Sequence, residues 1–172
     1  MKNLKCLLIA IFFVLNGQTQ SNYYAQTFDD KTIPISDSSK CIVLYYNSGS
    51  CNLCMKVLIL YCKNITVKYP GIELMVMIQG HKYDIIGLRS NTSLIQNYFI
   101  NENPNIIYDM NDGKRKTYAK LYRISEFPSL LLIDMQKNQC IYISYKKIFS
   151  TSNKVEISKY ARIKINDFVS EN

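Results

Sequence analysis

Two cysteines separated by two residues, Cys51 and Cys54, are the side chains whose spacing suggests chemistry. An unbroken apolar run at 41–46 precedes them and predicts a buried strand, whereas apolar residues spaced by three and four after them predict a helix. Cys51 is therefore expected in the first turn of that helix, where free N–H groups and the positive dipole end favour a thiolate. Cys54 lies one turn further in, within reach of a mixed disulfide formed on Cys51. The pair predicts thiol–disulfide exchange, with Cys51 attacking and Cys54 resolving.

A zinc site is the main structural alternative for this spacing. Zinc sites are usually built from two such cysteine pairs, or from one pair and two histidines. Here Cys41, Cys62 and Cys140 are isolated and His81 is the only histidine. We therefore expect no metal and no cofactor other than a redox-active disulfide. A copper-handling role for the dithiol with His81 is a weaker alternative, because His81 is predicted to be an exposed loop residue after Gly80.

The remaining cysteines are given structural interpretations. Cys62 falls on an apolar helix face and Cys140 in a predicted strand, so both are expected to be buried small hydrophobes. Cys41 begins the central strand, and the sequence leaves open whether it pairs with Cys140 or stays free. An odd number of cysteines follows the N-terminal segment, which shows that at least one thiol is unpaired or transiently paired.

The N-terminal segment predicts export. Residues 1–20 combine Lys2 and Lys5 with an apolar run at 6–15 and a polar end, which is typical of a signal peptide and too short for a bilayer, since a spanning helix needs about 20 apolar residues. We expect one domain at 21–172, located in the periplasm or cell envelope. The chain has a net charge of +8, but its lysines are scattered, and no run of arginines interleaves with aromatic residues. No nucleic-acid partner is expected.

Strand and helix patterns alternate along the chain. A strand at 72–78 and another at 105–108 flank a helix predicted to begin at a cap formed by residues 91–93. The other predicted elements are an edge hairpin at 27–36 that turns at 29–31, a turn at 111–113, a helix at 116–124, a hairpin of strands 130–133 and 140–143, a strand-like stretch at 155–157, and a last helix near 160–169. This order predicts a mixed sheet with helices on both faces.

Two separated stretches resemble a known family. Residues 27–54, with a hairpin, a buried strand and a C-x-x-C helix, and residues 106–143, with the motif Ile-Ser-Glu-Phe-Pro-Ser, resemble exported thioredoxin-like redoxins of the TlpA type, relatives of the AhpC/TSA group. The resemblance implies an α/β fold, a thioredoxin-like three-layer α/β/α sandwich with a mixed central sheet and an N-terminal β-hairpin. In that family the proline at the Pro128 position is cis and faces the dithiol, which implies that Phe127 and Pro128 bind a substrate strand.

The same resemblance implies the partners. It points to an enzyme that exchanges disulfides with the thiols or disulfides of exported proteins and draws on a membrane or soluble electron donor. Whether the enzyme reduces or oxidises its substrates is left open, because the dipeptide between the cysteines gives no dependable rule.

Several residues depart from the family pattern. Ser50 stands where tryptophan is usual, Leu53 where proline is frequent, and Phe127 where a smaller residue is common. The strand at 41–46 also lacks an acidic residue that could take a proton from Cys54, so resolution is expected to use another acid or water.

Two other functions remain in competition. A thiol peroxidase shares this fold, but its attacking cysteine follows a Pro-x-x-x-Thr pattern, and Leu44 and Ser48 occupy those two positions here. A non-catalytic binding module of the same fold is the third hypothesis.

Overall fold

The computed structural model describes residues 24–26, 32–34, 38–81, 83–99, 104–111, 117–150 and 155–171. The predicted signal at 1–20, the turn at 29–31 and most of the turn at 111–113 lie outside these residues. Among the described helices, none combines the length and apolar character that crossing a membrane requires.

A seven-stranded mixed sheet forms the centre, in the order β2-β1-β5-β4-β3-β6-β7. The three central strands β3, β4 and β5 run parallel, and the flanking strands pair antiparallel. The strands are β1 (Tyr24–Gln26), β2 (Thr32–Pro34), β3 (Lys40–Tyr46), β4 (Ile72–His81), β5 (Asn105–Asn111), β6 (Ser129–Asp134) and β7 (Gln139–Ile143). As its unbroken apolar sequence predicts, β3 is buried on both faces along 41–46.

Helices cover both faces of this sheet, which confirms the predicted three-layer architecture. They are α1 (Asn52–Lys68), α2 (Ile85–Phe99), α3 (Tyr118–Leu121), α4 (Tyr145–Ile148) and α5 (Lys159–Ser170). Buried residues of α1, α2, α4 and α5 share one apolar cluster with one face of β3, whereas those of α3 belong to the cluster on the other face. Each cluster removes a large apolar surface from water, which is the main stabilising term.

The first helix follows the predicted pattern only in part. The row formed by Cys54, Leu58 and Ile65 is buried against the sheet. Leu53 and Leu60, which also belong to the apolar spacing, are 58% and 47% exposed and face outward. The helix ends before Tyr69, whose N–H donates to the carbonyl of Ile65.

The predicted start of α2 at residues 91–93 is wrong, because the helix begins at Ile85. Asp84 accepts a hydrogen bond from the N–H of Gly87 and so caps the first turn. The hydroxyls of Thr92 and Ser93 instead donate to backbone carbonyls four residues earlier, so their hydrogen bonds are made within the helix.

Other boundaries also differ. The edge hairpin pairs β1 with β2 antiparallel as predicted, although β1 lies before residue 27. The helix at 116–124 is a single turn capped by Thr117, and residue 116 is outside the described part. The stretch 155–157 contributes one bridge, between Ile157 and Phe149, rather than a strand. The hairpin of β6 and β7 and the last helix are confirmed.

Candidate active site

A tight turn at the carboxyl end of β3 positions the first cysteine. The N–H of Ser50 donates to the carbonyl of Asn47 at 3.0 Å, and the N–H of Asn47 donates to the Ser50 hydroxyl oxygen at 3.0 Å. The Asn47 side-chain oxygen also accepts from the N–H of Gly49 at 3.1 Å. Ser50 is only 8% exposed, so at this position a small polar residue closes the turn from inside. These bonds fix where the chain enters α1.

Cys51 is the N-cap of α1, one position before the helical turn in which it was predicted. Its sulfur accepts a hydrogen bond from the N–H of Cys54 at 3.2 Å, and its carbonyl accepts from the N–H of Met55 at 3.0 Å. The first turn contains no acidic residue. The positive end of the helix dipole therefore acts on this sulfur without a competing carboxylate in that turn, which favours a thiolate in the reduced protein.

Cys51 and Cys54 form a disulfide, with Cα atoms 5.2 Å apart. The two ends differ in accessibility, since Cys51 is exposed and Cys54 is 1% exposed. An incoming thiolate therefore meets the sulfur of Cys51 first.

A tyrosine that the sequence analysis did not select contacts the inner sulfur. The hydroxyl of Tyr145, the first residue of α4, lies 3.4 Å from Sγ of Cys54. Its ring packs against Phe149, with centroids 5.1 Å apart. The two residues in contact are 91 positions apart in sequence, so no local pattern marks this pairing.

The predicted substrate-binding residues lie at the same sheet edge. Ser129, the first residue of β6, pairs with Tyr45 near the carboxyl end of β3, which places Phe127 and Pro128 beside the turn that leads to Cys51. The Phe127–Pro128 peptide bond is cis. The Phe127 ring packs at 5.3 Å from that of Tyr45.

Tyr45 is anchored in turn by a buried residue of β5, Asp109. Its hydroxyl donates to Oδ2 of Asp109, and the same oxygen accepts the N–H of Tyr118 at 2.7 Å. All three residues are buried, with Tyr45 and Asp109 at 0% exposure. The ring on which Phe127 rests is therefore fixed by a hydrogen bond within the core.

The other three described cysteines are free. Ile133 pairs with both Cys41 and Cys140 in the sheet, so two strand spacings of about 4.8 Å separate them, more than a disulfide spans. Burial raises the pKa of Cys140 to about 11 and raises the pKa of Cys41 and of Cys62 still further. All three thiols are therefore poor nucleophiles in the folded protein.

His81 does not occupy the loop predicted for it. It is exposed, as expected, but it is the last residue of β4. Its ring lies 5.4 Å from that of Tyr83. Among the described residues there is no group of three or more His, Cys, Asp or Glu side chains placed to hold a metal ion.

Comparison with known proteins places the fold. No family model and no curated protein matches the chain. Among solved structures, a secreted Mycobacterium tuberculosis disulfide oxidoreductase matches at a TM-score of 0.51 and 10% identity, over 88% of this chain and 96% of the other. The thioredoxin domain of a thiol-disulfide oxidoreductase from Bacteroides vulgatus matches at a TM-score of 0.53 and 11% identity, over 89% of this chain and 99% of the other. StoA from Bacillus subtilis matches at a TM-score of 0.50 and 16% identity, over 86% of this chain and 96% of the other.

These likenesses extend over nearly the whole of each chain at low sequence identity. They show that the protein has a thioredoxin-like α/β fold, as its sequence predicts. In this protein the Cys51–Cys54 disulfide stands at the start of α1, the helix that follows the central strand β3.

Proposed function

We propose that this protein is a thiol–disulfide oxidoreductase that uses Cys51 and Cys54. The observation that carries the proposal is the asymmetry of the disulfide, in which Cys51, an exposed residue at a helix N-cap, is bonded to the buried Cys54. A purely structural disulfide gains nothing from exposing one sulfur at the end of a helix dipole, whereas exchange chemistry needs an accessible atom there.

The exchange is a pair of sulfur substitutions. A substrate thiolate attacks Sγ of Cys51, the bond between Cys51 and Cys54 breaks, and its electron pair stays on Cys54 as a thiolate. A second substrate thiolate then attacks the mixed disulfide at the substrate sulfur, which releases an oxidised substrate and leaves both cysteines reduced. In the opposite direction the Cys51 thiolate attacks a substrate disulfide and releases one substrate thiolate. Cys54 then attacks Sγ of Cys51, which releases the second substrate thiolate and re-forms the Cys51–Cys54 disulfide. Two electrons move in each cycle.

Phe127 and Pro128 are proposed to bind the substrate strand. They precede β6 at the edge where β3 ends, so an extended substrate segment laid beside them passes over Cys51. Main-chain pairing of this kind gives affinity without demanding one sequence, which suits an enzyme acting on several proteins. The Phe127 side chain is half-buried on Tyr45 and offers an apolar contact to such a segment.

The proposed substrates are exported proteins in the periplasm or cell envelope. The signal-like segment at 1–20 supports export, and disulfides persist in such compartments. When the protein reduces its substrates, a membrane or soluble electron donor is proposed to regenerate the dithiol. In the oxidising direction an electron acceptor must instead restore the disulfide.

The test is equilibration of the protein with reduced and oxidised glutathione, followed by trapping of free thiols and mass spectrometry. We expect a reversible two-electron couple at Cys51 and Cys54. A reduction potential of about −250 mV indicates a reductant, and a reduction potential of about −120 mV indicates an oxidant. If these two cysteines do not form a reversible disulfide, the proposal is wrong.

Matched variants assign the roles of the cysteines. With Cys54→Ser, the mixed disulfide on Cys51 cannot be resolved and should accumulate with a cysteine-containing substrate, whereas Cys51→Ser should abolish it. Cys140→Ser serves as the control, since its thiol lies in β7 outside the disulfide. Equal accumulation in the Cys51→Ser and Cys54→Ser variants would contradict the assignment of Cys51 as the attacking residue.

A further inference from the structure

The contact between Tyr145 and Cys54 has a defined donor. In the disulfide the sulfur of Cys54 carries no proton, so at 3.4 Å the Tyr145 hydroxyl is the donor and the sulfur the acceptor. Sulfur hydrogen bonds are long, and this separation lies within their range. A phenol O–H remains a donor at neutral pH.

The strength of this contact depends on the redox state of the sulfur. A neutral disulfide sulfur is a weak acceptor, and a thiolate is a charged one, for which hydrogen bonds are roughly twice as strong. The site around Cys54 is also buried, which strengthens an electrostatic contact further. The Tyr145 hydroxyl therefore stabilises Cys54 more as a thiolate than as a disulfide.

We propose that Tyr145 is a catalytic residue that holds Cys54 as a thiolate during exchange. This inference rests on the proposed function. When a substrate thiolate bonds to Sγ of Cys51, the electron pair of the broken sulfur–sulfur bond goes to Cys54, and the Tyr145 O–H donates to that charge. In the reverse step the same hydrogen bond keeps Cys54 deprotonated for its attack on the mixed disulfide. No proton is transferred within either step. The Tyr145 phenol thus assists the reaction at Cys54, a role for which β3 contains no acidic residue.

The structure holds the phenol in place from several sides. The Tyr145 ring packs on Phe149, and the following residue, Lys146, forms an ion pair with Glu126 at 2.7 Å. The N–H of Ser158 donates to the carbonyl of Ile148 at 2.7 Å, which ties α4 to the start of α5. The hydroxyl is therefore presented by a fixed element rather than by a mobile side chain.

Several other titratable groups on the surrounding elements make contacts away from Cys54. Tyr46 of β3 directs its hydroxyl to the side-chain oxygen of Asn52, at 3.4 Å. On α4, Lys146 is paired with Glu126, and the Lys147 ammonium lies over the ring of Tyr160. On α1 itself Lys56 is exposed. Among these described groups, Tyr145 is the one whose hydroxyl contacts the Cys54 sulfur.

The test is a titration of the Cys54 thiol in a Cys51→Ser background, followed through the 13Cβ chemical shift of Cys54. Tyr145→Phe removes one oxygen and keeps the ring on Phe149. We expect the titration midpoint to rise by about one pH unit, a tenfold loss of thiolate below the midpoint. Attack of glutathione on the oxidised Tyr145→Phe protein should be several-fold slower.

Tyr122→Phe is the matched control, because Tyr122 acts on a different thiol, lowering the pKa of Cys140 against the effect of burial. It should leave the Cys54 midpoint unchanged. Replacement of Tyr145 by 3-fluorotyrosine, a stronger donor of nearly the same shape, should lower the midpoint, and this variant keeps the test decisive if Tyr145→Phe does not fold. An unchanged midpoint in the Tyr145 variants, or an equal shift with Tyr122→Phe, overturns the inference. Failure of the proposed function would instead appear as loss of reversible disulfide formation in the unmodified protein.

Discussion

Leu53 offers a direct test of the electrostatics around the attacking cysteine. It lies between the two cysteines, it is 58% exposed, and the first turn of α1 has no acidic residue. A charge introduced there acts on Cys51 without disturbing the core. Leu53→Glu should therefore raise the pH at which Cys51 becomes reactive, and Leu53→Lys should lower it.

The magnitude follows from the exposure of the site. With Cys51 at the N-cap and Leu53 at the second helical position, the two side chains are about 7 Å apart. At that separation two unit charges interact by about 0.6 kcal/mol in water and about 2.4 kcal/mol at an effective dielectric constant of 20. Because Leu53 is largely exposed, the value in water applies, which corresponds to about half a pH unit. The two charged variants should then differ by about one pH unit.

The assay is the rate of alkylation of Cys51 by iodoacetamide in the reduced protein, measured against pH with peptide mass spectrometry. Leu53→Gln is the neutral control of similar size. Raising the salt to about 0.5 M shortens the Debye length below this separation and should bring the charged variants together. Where Cys51 is ionised, Leu53→Glu should also lower the potential by about 15 mV, since a tenfold change in equilibrium is about 30 mV. The reasoning is refuted if both charges shift the midpoint in the same direction, or if salt leaves the difference intact.

Two further predictions concern packing and thiol reactivity. A Cβ at Gly80 would clash with the Leu88 side chain, so Gly80→Ala should lower the free energy of unfolding by about 1–3 kcal/mol in urea titrations. A Cβ at Gly71 would meet no atom within 4 Å, so the control Gly71→Ala should change that free energy by less than about 0.5 kcal/mol. Equal effects of the two substitutions would contradict the clash with Leu88. Burial raises the pKa of Cys140 to about 11, so at pH 8 its alkylation in the reduced protein should be at least 100-fold slower than that of Cys51. The rate at Cys140 should rise about tenfold per pH unit until the pH reaches this pKa. Comparable rates for the two cysteines at pH 8 would contradict the burial argument.

Local patterns predicted the parts of the fold whose signals are strong. The burial of the apolar hexamer in β3 and of the apolar row in α1 could be predicted from the sequence, and the C-x-x-C spacing located the disulfide between these two elements. The start of α2 was missed because its first turn contains a glycine and the exposed Ile86, and the buried apolar row begins only at Leu88. Its cap is the side chain of Asp84, and the serine and threonine that suggested a cap bond inside the helix.

Tyr145 was missed for a different reason. The helix that carries it is a single turn of four residues, and its N-cap, Ser144, makes no side-chain hydrogen bond. Isolated turns of this length are not stable by themselves, so α4 exists because Ile148 is buried and because α5 packs against it. No periodicity over four residues could have indicated either fact.

Sheet topology supplies the link that local patterns lack. The strand β7 pairs antiparallel with β6, and β6 pairs antiparallel with β3, so β7 and β3 run in the same direction. Their carboxyl ends therefore meet at one edge of the sheet, together with the start of β6. Cys51 follows β3, Pro128 precedes β6 and Tyr145 follows β7, and all three arise at that edge although they span 95 positions of the sequence. The hairpin of β6 and β7 was itself predicted from the sequence. A side chain next to the end of its second strand was consequently a candidate partner for the dithiol on topological grounds, before any contact between the two was known.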